Sequence, residues 1–317
     1  RAAMSRIVTL TRHPAPGVAT GEERVGRGPK LRCGPVRRES GGGGLNVSRA
    51  ITSLGGATLA LHASGGATGA LVEEHLVREG VAQRRLPIAG ITRENLAVRE
   101  RASGELLRFV MPGPTLSEAE WSAALDACVE AAEGGYLVAS GSLPPGVPDD
   151  VYVRLARALA PRGVRLLLDT SGPALRAAMG GGVHLVKMNY RELDELAGHE
   201  QTDREREEGA RRVVSAAGAA VVVVTLGPAG VLVVDGDGAV RISAPQVTSP
   251  DSAVGAGDSF MGGLALSLDR GLPLVEACTV GVASAAAAML TPGTEPCRRQ
   301  QVEGMLEAMG AGAGLLA

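Results

Sequence analysis

The chain has 317 residues, a formal net charge of −2, charged residues at 21% and aromatic residues at 2%. That length suits one large domain with an appendage or two medium ones, whereas the near-neutral charge, the lack of a basic block and the scarcity of rings exclude a phosphate-tracking or base-stacking nucleic-acid binder. Four cysteines (Cys33, Cys128, Cys278, Cys297) without CxxC spacing and five histidines without HExxH exclude a zinc site and a disulfide framework, and no apolar run is long enough to span a membrane, so a reduced cytoplasmic setting is expected.

In chain order, Arg1 to Ala3 precede Met4, which reads as the natural start with no signal peptide after it. Ile7 to Leu10 reads as a first strand, followed by a Pro/Gly-rich loop from His13 to Gly28. Gly41 to Gly44, Leu45 and Asn46 then open a periodic apolar run that Gly55 and Gly56 terminate as a helix C-cap would. Four glycines before a helix allow a ligand close to the backbone, although a flexible hinge has the same composition. The run is not GxGxxG, so it is no dinucleotide fingerprint. Leu59 to Ala63 is strand-like and Thr68 to Glu79 helix-like. Leu96 to Arg101 and Leu106 to Met111, joined by Ala102 to Glu105, read as a hairpin. With the segment from His13 to Val36 this hairpin makes a small separate sheet, a lid.

From Ser117 onward strands and helices alternate. The expected strands are Tyr136 to Ala139, Val164 to Asp169, Val183 to Lys187 and Ala220 to Thr225; the helices begin near Ser117, Asp149, Tyr190 and Thr202, and Ala277 to Leu290 reads as a buried helix. This alternation predicts a parallel sheet covered by helices, with ligands collecting at the carboxyl ends of the strands. Loops starting at Ser140, Asp169, Lys187 and Thr225 all fall at that edge. The acid–base run Asp203 to Arg212 reads as a solvated helix face.

Two features mark chemistry. The chain contains thirty arginines but only two lysines, Lys30 and Lys187, and three asparagines, Asn46, Asn95 and Asn189. A composition that replaces Lys by Arg wherever either serves makes the surviving lysines candidates for a compact point charge at phosphate. Second, Gly255, Ala256 and Gly257 form a turn before an apolar helix, and such a helix start is an anion site. Asp258 stands at its lip, placed to accept a hydroxyl proton, though the same residues fit a Gly-rich loop with Asp as an ordinary N-cap.

Gly41 to Asn46 with its helix, Asn189-Tyr190-Arg191-Glu192 and Gly255-Ala256-Gly257-Asp258-Ser259 match the signatures of the ribokinase-like, or PfkB, family of carbohydrate kinases. The chain resembles that family from about Met4 past Cys297. Lys30-Leu31-Arg32-Cys33, Arg93-Glu94-Asn95-Leu96, Arg108 to Gly113 and Ser140 to Gly146 are similar to its minor bacterial 6-phosphofructokinase type. The resemblance implies one ribokinase-like domain over residues 4–317, a three-layer α/β/α body with a mostly parallel sheet. Its β-sheet lid would be built from about 13–38 and 89–111 and would join two chains into a homodimer.

The resemblance also implies roles. Asp258 would be the general base and Gly255, Ala256 and Gly257 the anion hole. Lys187, Asn189, Thr225, Gly227 and Gly230 would meet ATP, with Lys30 reaching its phosphates from the lid. Gly42, Gly43, Asn46, Arg93 and Ser140 would meet the sugar phosphate. Glu192 with Asn189 would hold Mg²⁺ through water, and Ser252, Val254, Gly293 and Glu295 would lie near a monovalent cation, K⁺. The implied reaction is ATP-dependent phosphorylation of a ketohexose phosphate, fructose 6-phosphate to fructose 1,6-bisphosphate, with 1-phosphofructokinase and tagatose-6-phosphate kinase as alternatives.

Two departures stand out. Where the family reads Asn-Pro-Ala-x-Asp, this chain has His13-Pro14-Ala15-Pro16-Gly17, without the acid that accepts sugar hydroxyls, and Ala253 replaces a common Thr. A sugar-binding or regulatory protein weakened at Gly17 is the alternative from another class.

Overall fold

The computed structural model describes residues 7–26, 30–216, 218–248 and 252–316. Residues 1–3, expected to precede the natural start, and Met4 itself lie outside the described residues. The first strand, β1 (Ile7–Thr11), is buried throughout, as its β-branched run between two neighbours requires. It is followed by β2 (Gly17–Glu22), β3 (Arg37–Glu39), α1 (Gly43–Ser53), β4 (Leu59–Ser64), α2 (Gly66–Arg78), β5 (Gln83–Pro87), β6 (Asn95–Glu100) and β7 (Leu106–Phe109). The second half runs α3 (Glu118–Ala131), β8 (Tyr136–Ser140), α4 (Val151–Leu159), β9 (Arg165–Asp169), α5 (Gly172–Ala178), β10 (Val183–Asn189), α6 (Tyr190–Ala197) and α7 (Asp203–Ser215). It closes with β11 (Ala219–Thr225), β12 (Val231–Val234), β13 (Ala239–Ile242), α8 (Ala256–Asp269), α9 (Leu274–Ala288) and α10 (Arg299–Ala308).

Nine strands form one sheet in the order β13-β12-β11-β10-β9-β8-β1-β4-β5. All pairs from β11 to β5 are parallel, and the β11–β12 and β12–β13 pairs at one edge are antiparallel, so only β12 runs against the rest. Alternation along each strand sends side chains to two cores. Val8 and Leu10 pack with Trp121, Leu155 and Leu175 of α3, α4 and α5 on one face. Ile7 packs with Ile51, Phe260 and Ala283 of α1, α8 and α9 on the other. The result is three layers, as expected for a ribokinase-like α/β/α fold.

A second sheet, ordered β3-β2-β6-β7, stands apart from the first. The β6–β7 hairpin pairs Leu96 with Phe109, and β2 runs parallel to β6 with Gly17 opposite Asn95. Strand β2 falls in the His13–Val36 segment expected to join the small sheet and corrects the loop reading within it; its half-buried Gly-Val-Ala-Thr-Gly-Glu run takes its extended form from pairing on both sides rather than from its own propensity. Strands β5, β12 and β13 and the short α5 carry too little periodicity to be seen in sequence; β5 buries only Leu86. Helices α3, α6 and α7 each begin with a capping box, at Ser117, Asn189 and Thr202.

Candidate active site

Helix α8 starts at the centre of the sheet's carboxyl edge. Its N-cap is Gly255, at φ 83°, the left-handed region that favours glycine. Asp258 is therefore the third helical residue and makes no cap hydrogen bond. Its carboxylate instead faces away from the helix: Oδ2 accepts from Asn46 Nδ2 at 2.9 Å, and Oδ1 accepts from Ser140 Oγ at 3.2 Å. This geometry removes the ordinary-cap alternative and leaves the first-turn N–H groups of α8 beside a carboxylate held by Asn46 and Ser140.

The glycine run places Asn46. Gly42 stands at φ 128°, and a Cβ there would lie 2.7 Å from Thr11 Cγ2; a Cβ on Gly43 would collide with Ser140 Oγ, and one on Gly44 would lie 2.5 Å from the Leu10 carbonyl oxygen. The run is thus a close-packed junction of α1 with the ends of β1 and β8, not a hinge.

Strand register assembles the next groups. Ser140 lies opposite Asp169, Asp169 opposite Lys187, and Asn189 opposite Thr225. Lys187, only 7% exposed, donates to Asp169 Oδ2 at 2.9 Å. The same ammonium would lie 3.0 Å from a Cβ on Gly257, so it touches the turn at the start of α8. Asn189 Oδ1 accepts from the Glu192 N–H at 2.9 Å while Glu192 Oε2 accepts from the Asn189 N–H at 2.7 Å. Gly227 and Gly230, at φ 61° and 96°, shape the turn after Thr225.

A cavity of about 610 Å³ opens between the two sheets. Gly42, Gly43, Asn46, Asp258, Ser252, Val254 and Gly293 line its floor, and Gly17, Asn95 and five arginines (Arg37, Arg93, Arg99, Arg101, Arg108) line its other walls. Arg93 is anchored by Nη1 on the Met111 carbonyl at 3.1 Å. Glu295 instead pairs with Arg298 at 3.0 Å. Lys30 is exposed and lines no part of the cavity.

Electrostatics follow from burial. Desolvation, reinforced by the charge of Asp169, pushes Asp258 up to about 6 against the opposing hydrogen bonds of Asn46 and Ser140 and the charge of Lys187. Burial alone would depress Lys187, but the charge and hydrogen bond of Asp169, with Asp258 and Glu192 farther off, hold it above the ordinary lysine value. Burial also raises Glu192, countered by the Asn189 N–H. His13 is pushed down to about 4 by burial and by Arg93, so its imidazole is neutral at physiological pH.

Sequence reasoning did not single out Asp169 as the partner of Lys187, nor Arg49 and Glu39. Arg49 lies one helical turn after Asn46, a spacing that puts both on one face, yet a buried arginine in an apolar run carries no motif. Glu39, 8% exposed, accepts from the Thr294 N–H at 2.8 Å, tying β3 to the 293–295 loop.

Comparison with known proteins gives a consistent result. The family model described as pfkB family carbohydrate kinase matches residues 19–301. The ATP-dependent 6-phosphofructokinase isozyme 2 of Mycobacterium tuberculosis is 41% identical over 304 residues, covering 95% of this chain and 89% of that protein. The Escherichia coli protein of the same name is 41% identical over 307 residues, covering 95% and 97%. The crystal structure of Escherichia coli phosphofructokinase-2 in complex with fructose-6-phosphate superposes with a TM-score of 0.90 at 38% identity, over 97% of this chain and 100% of that one. A structure of the same enzyme in complex with potassium gives 0.91 at 39% identity, with the same coverage.

Proposed function

The chain belongs to the pfkB family of carbohydrate kinases, and from that premise we propose that it transfers the γ-phosphoryl group of ATP to the free primary hydroxyl of fructose 6-phosphate, forming fructose 1,6-bisphosphate. The observation that carries this reading is a carboxylate with raised proton affinity, Asp258, held at a helix N-terminus in a cavity walled by arginines. A cavity of that charge takes a phosphorylated rather than a neutral sugar.

In this mechanism Asp258 accepts the hydroxyl proton as the hydroxyl oxygen attacks phosphorus, while Asn46 and Ser140 keep the carboxylate aimed. The N–H groups at Gly255, Ala256 and Gly257, with the dipole of α8, stabilise charge on the transferring phosphoryl group. Lys187, against that turn, neutralises phosphate charge as a compact cation. Arg93 takes the phosphate already on the acceptor. Asn189, Thr225, Gly227 and Gly230 form the strand-end edge offered to ATP, and Lys30, exposed between β2 and β3, would approach its phosphates.

Glu192 fits a water-mediated Mg²⁺: it is half-buried, and its hydrogen bond to the Asn189 N–H leaves acceptor capacity on a carboxylate. Bound there, the ion would neutralise the phosphates of ATP. Ser252, Val254 and Gly293 line the cavity and would offer backbone oxygens to K⁺, whereas the Glu295 side chain is engaged by Arg298 and its carbonyl by the Thr291 hydroxyl. The small sheet is the lid over this site, and the exposed apolar residues Leu31 and Val36 beside it offer surface through which two chains would pair. Among the described residues no helix is long and apolar enough to cross a membrane.

The test is ADP release from MgATP with fructose 6-phosphate, fructose 1-phosphate, tagatose 6-phosphate, fructose and ribose, beside Asp258→Asn. Stimulation by fructose 6-phosphate, lost in the variant, is the expected result. Preference for another phosphorylated ketohexose would reassign the acceptor, and silence with every sugar would leave a binding protein.

A further inference from the structure

The kinase reading, on which this inference rests, leaves Arg49 without a role. Arg49 is 4% exposed, in the middle of α1, and burying a guanidinium there is costly unless its donors are used. They are used in a directed way. Nε and Nη2 meet Glu79 Oε2 and Oε1 at 2.5 and 2.8 Å. Nη1 donates to Asn46 Oδ1 at 3.2 Å, to the Ser40 carbonyl at 3.2 Å and to the Thr294 carbonyl at 3.0 Å.

The Asn46 contact matters because an amide has unlike ends. Asn46 presents Nδ2 to Asp258, which suits an ionised carboxylate, an acceptor only. Rotating the amide would set an oxygen against that carboxylate. Arg49, which can only donate, faces Oδ1 and excludes the rotated form. We propose that Arg49 is a positioning residue for phosphoryl transfer: by fixing the polarity of the Asn46 amide it keeps Asp258 aimed as a base, and through the carbonyls of Ser40 and Thr294 it sets two walls of the acceptor cavity. Arg49 touches neither the Asp258 carboxylate nor the cavity; Glu79 is its outer anchor.

A signature follows. Asp258 is faced by Asn46 from α1, Ser140 from β8, Asp169 from β9 and Lys187 from β10. Asn46, Ser140 and Lys187 favour the ionised form, whereas Asp169 and burial oppose it. Only Asn46 is under the control of Arg49, so releasing Arg49 moves the Asp258 titration to higher pH.

The experiment compares wild type, Arg49→Met, Arg49→Lys and Glu79→Gln in two readouts: the pH profile of kcat with MgATP and fructose 6-phosphate, and the Asp258 carboxyl titration by carbon NMR of the ligand-free chain. Arg49→Met is expected to lose roughly tenfold or more in kcat at neutral pH, the scale of a lost hydrogen bond to a charged group. It should regain part of this at alkaline pH, with its carboxyl titration displaced upward. Arg49→Lys recovers part of the loss, because an ammonium cannot serve Glu79 and Asn46 with one planar fork. In an Asn46→Ala background Arg49→Met should cost little more. A uniformly lowered profile with an unmoved titration overturns the proposal and leaves Arg49 a packing residue. Should Arg49→Met not fold, Glu79→Gln decides: a smaller upward displacement supports the proposal and an unmoved titration overturns it. A wild type inactive on every phosphorylated sugar would overturn the kinase reading, while the NMR titration still reports whether Arg49 governs Asp258.

Discussion

Asp169 Oδ2 and Lys187 Nζ lie 2.9 Å apart beside the turn that opens α8, and the acid of this pair acts on Asp258 as well as on the lysine. Asp169 raises the proton affinity of Asp258, second only to burial. Replacing it by Asn removes that charge and lowers the Asp258 pKa. Because the base works ionised, the acid limb of the pH–rate profile of Asp169→Asn moves to lower pH, opposite to the shift expected for Arg49→Met. A limb that stays in place would refute the assignment.

Asp258 also sets a stability dependence. Its folded pKa of about 6 lies above the ordinary aspartate value of 3.8, so the folded chain holds the proton more tightly than the unfolded chain. This contribution is full below the unfolded pKa and is lost as pH rises through the folded one. At neutral pH the ionised acid costs about 3 kcal/mol. Asp258→Asn is therefore expected to be inactive yet more stable by about that amount at neutral pH, with the gain shrinking on acidification. Urea denaturation at several pH values measures it.

Gly43→Ala tests the close-packed glycine junction. The added Cβ collides with the Ser140 side chain and lies 2.7 Å from its carbonyl carbon, so the start of α1 must move and carry Asn46 with it. A loss of about 1–3 kcal/mol in stability and about 100-fold in kcat is expected. Near-native kinetics would mean that the loop yields freely.

At Gly17 the space beside the backbone is open: a Cβ there meets nothing within 4 Å. The position lines the cavity, with Asn95 on one neighbouring strand and Glu39 on the other. Gly17→Asp should fold and lower KM for fructose 6-phosphate roughly tenfold, the scale of one charge-assisted hydrogen bond. Repulsion from Glu39 makes part of that gain dependent on salt. An unchanged KM would show that the sugar hydroxyls are already satisfied.

Arg12 is 3% exposed, with none of its guanidinium nitrogens hydrogen-bonded, and it stacks 4.9 Å from the Tyr152 ring centroid. A cation–π contact offsets little of such desolvation. Arg12→Leu, apolar in an apolar core, is expected to raise stability by about 1–4 kcal/mol, the range seen when buried charges are replaced by hydrophobic residues. A fall in melting temperature would mean that Arg12 holds a polar partner.

Much of this was legible in the residues. A strand such as Ala219–Thr225 announces itself by a β-branched run, and the survival of Lys187, Asn46 and Asn189 in an arginine-rich chain pointed at groups that the structure gathers along one sheet edge. The strand at Gly17–Glu22 was hidden because its extended form is imposed by neighbours far away in sequence. Asp169 was seen as part of a loop but not as a partner, since the contact that defines it crosses from one strand to the next. Arg49 was missed for a different reason: its donors go to Glu79, thirty residues on, and to carbonyls and an amide oxygen, partners with no pattern in a single sequence.

The position of β1 between β4 and β8 has a consequence for biosynthesis. One flank of this buried strand is covered once Leu59–Ser64 is made, but the other waits for Tyr136–Ser140. At ribosomal rates of about 5–20 residues per second that edge stays open for roughly 6–25 s. During that interval an Ile-Val-Thr-Leu-Thr strand offers unpaired backbone to any other nascent chain, so yield in a host cell will depend on chaperone capacity and translation speed as well as on the stability of the finished fold.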